Sequence, residues 1–500
     1  MKSTTARNLA AAVTVGALLA AAGCSEGDPA GSSKSAERTL RAAFAGGGSS
    51  ETLNYLAGPT ALDFVRAKLV HAPLCELDPK APDGVSYGVV ETITASEDLK
   101  TYTLRVRDGV KFTDGKLLTS ADVLYSLRAP MLLKGLPFTM LISRNFDMDA
   151  ASAPDASTVI LPAKSPIADG REVICQTTLA IPDKTTEFTT STPSSGPFTI
   201  ESFEPGQSTL LKRNDSYYGQ APALEKIELR SIPDGSARVN ALRQGQVDFI
   251  SAVGPAEAKT LETADGLKVT NSELPYASYL QYTMNIKAKP FDDPRVREAF
   301  RLAVDRERIV QNVYYGRAFV GNDIPALGFP SYNTALAQRG HDPERAKQLL
   351  TEAGAAGIKV ELTAGPEMPG MVETATLIIE DLKAIGVQAT LRELPAGQLF
   401  ADYPAYLSWP FKAGYTPPAY FEINHTPGTF PDVDALVLTA RSAVTGQERL
   451  TASHQAQKLL WEKGNQIAPV FVPTINAASD RVDGVRELQF PDLSRVTLRN

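Results

Sequence analysis

Histidines stand at 71, 341, 425 and 454, and cysteines at 24, 75 and 175. These are the side chains whose spacing would announce a metal or redox centre. The cysteines are far too widely separated for a CxxC site, and no two histidines share a short ligand motif. Scattered imidazoles favour structural roles over nickel ligation, so no metal and no other cofactor is expected. Nucleophilic and phosphate chemistry leave no signature either: the chain has no GxSxG elbow, no HExxH pair and no Walker A loop. A carboxylate pair for glycoside cleavage need not be local in sequence, so a secreted hydrolase is the competing class. The stretch "RDGVKFTDGK" (107–116) carries two Asp-Gly pairs but lacks the ligand spacing of an EF-hand. It reads as folding punctuation, not as a calcium or phosphate cradle.

The elements around that punctuation are legible. Tyr102, Leu104 and Val106 alternate with Thr103, Arg105 and Arg107, and the alternation resumes at Val110 and Phe112. Asp-Gly between alternating runs predicts a hairpin turned at Asp108-Gly109. Asp114-Gly115 then ends the second strand, and Thr119 with Asp122 forms a capping box for a helix through Val123, Leu124 and Leu127. "IKVELTA" (358–364) and "VQATLRE" (387–393) alternate as strands. Between them Val372, Ala375, Ile379 and Leu382 share one helical face, with Gly386 past the end. Strand, helix and strand with short joints predict a parallel crossover. Asp293-Pro294 and Asp342-Pro343 are N-cap and N1 pairs of two further helices, the second stopped by Gly354. A helix ended by Gly245 is followed by a strand at "VDFI".

The bulk composition bounds the rest. The chain has 500 residues, 43% hydrophobic and 21% charged, with a formal net charge of −7. No Lys/Arg-rich run suggests a nucleic-acid partner. Lys2 and Arg7 precede an apolar run from Leu9 to Ala22 that is too short to span a bilayer comfortably. That run stops at "AAGC", which looks like a bacterial lipoprotein signal: residues 1–23 are cleaved and Cys24 is lipidated. Residues 24–38 are polar and Gly/Ser-rich, a flexible tether. The expected location is the extracytoplasmic face of the cell membrane, lipid-anchored. Cys75 and Cys175 are then the remaining pair of an exported protein, bridged or as two buried thiols.

Taken in order, these segments resemble the extracytoplasmic solute-binding proteins of family 5, the peptide/nickel-type receptors of ABC importers. "YTLRVRDGVKFTDGKLLTSADVLYSL" looks like the family signature, with Thr113 where His is common. "SSGPFTIESFEPGQSTLLKRNDSYYG", "ARVNALRQGQVDF", "MNIKAKPFDDPRVREAFRLAVDRERIV" and "HDPERAKQLLTEAG" resemble later blocks, in collinear order. The resemblance implies an α/β fold of two lobes (type II, periplasmic-binding-protein-like) with a small extra subdomain on the first. It maps lobe I to 39–75, 190–272 and 468–500, the subdomain to 76–189, and lobe II to 273–467. Cys75 and Cys175 then fall near the junction of lobe and subdomain, consistent with a bridge. The implied function is capture without chemistry: a monomeric receptor closes on an oligopeptide or peptide-like solute and hands it to a permease and ATPase. A non-peptide solute, such as an oligosaccharide or metal chelate, and a surface sensor are the alternatives.

Family members that bind peptides fix the free amine with an Asp in a segment like W-x-A-D-Y-x-[DE]-P. Trp409, Ala413, Tyr415 and Pro418 fit that pattern after an insertion, but Gly414 and Pro417 occupy the carboxylate positions. A buried ammonium without a carboxylate is costly, so free-amine peptides are expected to bind weakly. Asp402 and Glu422 are the nearby substitutes. Trp409, Phe411 and Tyr415, with Tyr276, Tyr279, Tyr282 and Asn285 near the first lobe crossing, are the candidate aromatic and polar lining. Strand alternation places Tyr276 and Tyr282 on one face and Tyr279 on the other, so they cannot all meet the solute.

Overall fold

A computed structural model describes residues 39–57, 60–133, 140–176 and 178–499. The expected signal segment, Cys24 and the expected tether lie outside the described residues. Two large sheets and a smaller one organise the chain. The first has seven strands, in the order Leu267–Asn271, Ile475–Ser479, Phe249–Ser251, Thr39–Phe44, Lys226–Ser231, Ser208–Arg213 and Phe198–Glu204. Thr39–Phe44 runs parallel to both of its neighbours. Leu40, Phe44, Ile227, Leu229 and Phe249 give this lobe its core, against helix Ala61–Val70.

The second sheet has six strands: Phe319–Val320, Gln466–Val472, Ser278–Met284, Phe411–Thr416, Lys359–Ala364 and Gln388–Glu393. The strand–helix–strand unit forms as its alternation requires. Lys359–Ala364 and Gln388–Glu393 pair in parallel, joined by helix Met371–Ala384. Asp293 and Asp342 cap helices Pro294–Ala303 and Pro343–Glu352 through the amides of Arg295 and Arg345, at 2.8 and 2.9 Å.

The chain passes between the sheets twice, from Asn271 to Ser278 and from Val472 to Ile475. The crossings lie side by side. Ser272 N–H donates to the Thr474 carbonyl at 2.9 Å, and Thr474 N–H donates to Ser272 Oγ at 2.9 Å. The second lobe therefore keeps the whole strand Gln466–Val472. A lobe boundary between 467 and 468 would cut that strand; the change of lobe comes after Val472.

A four-stranded antiparallel sheet, Val90–Ala95, Thr101–Val106, Thr158–Pro162 and Ser152–Asp155, carries its own buried core. Here one expectation fails. The segment 110–112 does not pair with Thr101–Val106, because both edges of that strand are taken by Val90–Ala95 and Thr158–Pro162. The tight turn is at Asp114-Gly115 instead: Lys111 bridges Leu117, and Phe112 N–H donates to the Lys116 carbonyl at 2.9 Å. Of the first pair only Gly109 has positive φ, at +76°, so Asp108-Gly109 is not a type I′ turn. The helix after it starts as the capping box dictates, with the Asp122 carboxylate accepting Thr119 N–H at 2.8 Å.

Cys75 and Cys175 form a disulfide across 100 residues of sequence, linking strand Cys75–Leu77 to the end of helix Gly170–Ile174. Closing a loop of that length restricts the unfolded chain by about 4–5 kcal/mol in the chain-entropy account. Replacing both cysteines by alanine should lower the unfolding free energy by an amount of that order in urea titration. A loss below about 1 kcal/mol would show that the bridge does not constrain this region.

Candidate functional site

The topology places one edge of each sheet at the crossings. Ile475–Ser479 starts where the second crossing ends, and its Asn476 pairs with Ser251, the last residue of Phe249–Ser251. The parallel strands of the first lobe therefore all point their C-terminal ends toward the crossings. The second lobe does the same: Ser278–Met284 starts after the first crossing, and its Tyr279 pairs with Thr416 at the end of Phe411–Thr416. Lys359–Ala364 runs parallel to that strand. Loops leaving the C-terminal ends of parallel strands are where α/β sheets bind ligands. Here two such sets border one interlobe space.

On the first lobe the bordering loop is "AGGGSSE" (45–51). Its end is tied down from below. Glu51 accepts from the Ser231 hydroxyl, and Arg66 donates to Glu51 Oε2 at 3.3 Å and to Asp63 Oδ1 at 3.0 Å. Arg66 also donates to Thr209 Oγ1 at 2.9 Å and to the Thr52 carbonyl at 3.0 Å. Burial pushes the Arg66 guanidinium below its ordinary pKa, and Asp63 and Glu51 oppose that shift. Gly46 is required here, because a Cβ would overlap Glu51 Oε1 and Ser231 Oγ. Ser49 and Ser50 remain exposed above this brace. Sequence reading missed the brace; its one local trace is the glycine run ahead of an acid.

On the second lobe the bordering residue with unmet chemistry is Glu367, in the loop after Lys359–Ala364. Its Oε1 accepts Leu399 N–H at 2.9 Å, while its buried Oε2 has no hydrogen-bond partner. Tyr415 stands beside it, 36% exposed, with Phe400 edge-on at 5.9 Å. Burial and the Glu367 charge hold the Tyr415 phenol above its usual pKa. A buried carboxylate oxygen left without a donor costs on the order of 1–3 kcal/mol, so an occupant bringing one is favoured.

The residues expected to line the cleft divide sharply. Tyr415 and Tyr276 lie at the crossing edge; Tyr276 sits in the first crossing, its phenol pushed up to about 12 by burial and then by Asp78. The others do not line it. Phe411 is buried among Phe291 and Phe300, at 5.5 and 5.9 Å, and begins its strand at the end away from the crossings. Trp409 precedes it there, half-buried against Tyr406 at 5.6 Å. Asn285 leaves that same far end and braces a turn, donating to the Ser408 carbonyl at 3.2 Å. Tyr279 and Tyr282 are buried on opposite faces, their hydroxyls held by Gln466 at 3.0 Å and the Met371 carbonyl at 2.6 Å. Both faces of this sheet are covered, so either parity of the strand is core. Asp402 caps helix Tyr403–Ser408 through Ala405 N–H at 3.1 Å, and Glu422 is fully buried beside Ser453 and Arg449. The first carboxylate serves a helix N-terminus, and the second is held by Ser453 and Arg449.

A sequence model of the bacterial extracellular solute-binding proteins, family 5, matches residues 84–431. The chain belongs to that family. It is 26% identical over 432 residues to the glutathione-binding protein GsiB of Salmonella typhimurium, covering 79% of this chain and 82% of that one. Among solved structures, the substrate-binding protein CtaP of Listeria monocytogenes superposes with a TM-score of 0.78 at 20% identity, covering 93% of this chain and all (100%) of that one. DppA of Helicobacter pylori, in complex with the peptide STSA, superposes with a TM-score of 0.74 at 17% identity, covering 92% and 98%. These likenesses carry the two-lobed fold. Among the described residues no group of three or more His, Cys, Asp or Glu is placed to hold a metal ion, and no helix is long and apolar enough to cross a membrane.

On the strand that carries Tyr415, the family 5 protein buries a cation. Lys412 is 5% exposed, donates to the Leu407 carbonyl at 2.8 Å and lies over the Tyr406 ring at 4.8 Å. Burial lowers its pKa from 10.5 to about 8. The folded state therefore binds this proton less tightly than the unfolded chain, and stability gains from Lys412 as pH rises from about 8 to 10.5. Lys412→Met should lack that gain. In denaturant titrations the stability difference between wild type and variant should move in favour of the wild type across this range; a difference constant with pH would disprove it.

Proposed function

We propose that this family 5 protein is the receptor of an ABC importer, tethered by lipid on Cys24 outside the cell membrane, and that it captures a peptide-like solute bearing a cationic amine. One observation carries the reading: two sheets joined by adjacent crossings turn their C-terminal edges to one space, and a carboxylate oxygen at that edge lacks a donor. The solute bridges the lobes, closure follows from contacts made to both, and no bond in the solute changes. Relatives named for glutathione or solved with peptides support a peptide-like guest. The expectation that free amines bind weakly rested on Gly414 and Pro417; Glu367 offers the missing charge from a neighbouring loop.

Calorimetry with glutathione and a panel of unblocked tripeptides tests this. A binder should lose at least tenfold in affinity when its amine is acetylated, and a comparable amount against Glu367→Gln. Equal affinity for blocked and unblocked forms, with no effect of the substitution, would remove Glu367 from recognition. Chemical change in a recovered solute would overturn capture itself.

The anchor has its own test. Cys24→Ala should release the protein into the medium of cells that otherwise retain it in the membrane fraction. Continued retention of the variant would refute lipidation at this position.

A further inference from the structure

The lobes meet a second time, far along the chain from the crossings, through the small subdomain. Asp169 of the subdomain is fully buried. Its carboxylate accepts from Tyr420 Oη at 2.6 Å and from Arg441 Nε at 3.0 Å, both on the second lobe. Arg441 Nη2 also donates to Asn145 Oδ1 at 2.8 Å, and the Arg441 carbonyl accepts Ala168 N–H. Next to this pair, Arg449 Nη1 donates to Glu172 Oε1 at 2.8 Å. The Arg449 guanidinium lies 5.3 Å from the Tyr420 ring centroid and 3.6 Å from Glu422, which also takes the Ser453 hydroxyl. Burial alone would lower Arg449, but Glu172 and Glu422 hold it above its ordinary pKa; burial raises Glu172 against the pull of Arg449. Asp169 and Glu422 side chains have no exposed surface, and Arg441, Arg449 and Glu172 keep 25%, 20% and 17%.

The subdomain is fastened to the first lobe by independent means. Leu74 and Ala72 exchange backbone hydrogen bonds with Thr178 and Ala180, Thr113 pairs with Ser194, and Glu76 forms ion pairs with Lys68 and Arg486. It therefore moves with the first lobe. Any opening about the crossings at 272–277 and 473–474 pulls Asp169 and Glu172 away from Tyr420, Arg441 and Arg449. Tyr420 itself stands just beyond the crossing-side end of strand Phe411–Thr416, so the cluster closes one side of the interlobe space.

We infer that the subdomain is a closure latch: the Asp169–Arg441–Tyr420 and Glu172–Arg449 contacts hold the lobes together without solute and set how much of the empty receptor is closed. Removing Arg441 strands the fully buried Asp169, and removing Arg449 strands the fully buried Glu422 with the mostly buried Glu172; these carboxylates gain full hydration when the lobes part. A solute then binds an already favoured closed state, so loss of the latch weakens its apparent affinity by the same factor as the fall in closed fraction.

The test uses solute-free, disulfide-intact mature protein. Spin labels are placed at Glu97→Cys on the subdomain and Leu438→Cys on the second lobe, both exposed positions. Pulsed dipolar distances in the otherwise wild-type protein should show a closed population. Arg441→Ala with Arg449→Ala should shift the distribution to longer distances and lower the closed-to-open ratio at least tenfold, and Arg441→Lys should shift it less. Near-ultraviolet circular dichroism and an unchanged intralobe label distance confirm that both lobes remain folded; were they to fail, Asp169→Asn gives the same readout with a smaller change. A closed-to-open ratio unchanged within twofold, or an empty wild-type protein with no closed population, would overturn the latch. Because the readout needs no solute, failure here leaves the assignment of the solute site standing or falling on its own measurement.

Discussion

Everything in this molecule that concerns capture depends on two chain crossings held side by side. Ser272 and Thr474 bond to each other through backbone and side chain, so the crossings act as one strip of backbone. Neither lobe can shift sideways without breaking those bonds, yet few torsions need to change for one lobe to swing against the other. The strip also determines polarity. The strand that leaves each crossing pairs with one of the parallel set in its lobe, and both sets of C-terminal ends are brought to the same side.

Around that constraint the two lobes prepare their edges differently. The first lobe buries a guanidinium and two carboxylates beneath its glycine-rich loop, so that the loop above is held while its serines stay exposed. A fully satisfied network of this kind rigidifies what it supports. The second lobe leaves a carboxylate oxygen unanswered beside a half-exposed tyrosine. The charges beneath the first edge are paired within the lobe, whereas the second edge keeps a carboxylate oxygen without a donor. The asymmetry suits a receptor in which one wall is rigid and the other supplies the discriminating charge.

The small subdomain gains a purpose from the same geometry. Its core is separate from that of either lobe, and the disulfide with the Glu76 ion pairs binds it to the first. A rigid arm of that kind is positioned to touch the far lobe only when the interlobe space is narrow. Of the charges it presents there, Asp169 is fully and Glu172 mostly buried, and buried charges are tolerated only while their partners remain in reach. That makes the contact all-or-none, unlike a surface ion pair, which can loosen gradually at little cost.

What the residues settled on their own was local. Asp293-Pro294, Asp342-Pro343 and the Thr119–Asp122 box start helices because a side chain within a few positions satisfies the orphan amides, and Gly354 and Gly386 follow helix ends with positive φ. The collinear blocks carried the family for the same reason: each is short and self-contained. What the fold alone decided was nonlocal. The Asp108-Gly109 hairpin failed because both edges of its strand were claimed by segments elsewhere in the chain. Tyr279 and Tyr282 went to core because alternation names two faces but not what covers each, and here both are covered. Glu367 beside Leu399, and Asp169 beside Arg441 across 272 residues, are pairings no window of sequence contains. Charge complementarity acts through space at a few ångströms, so only the folded chain shows which charges meet.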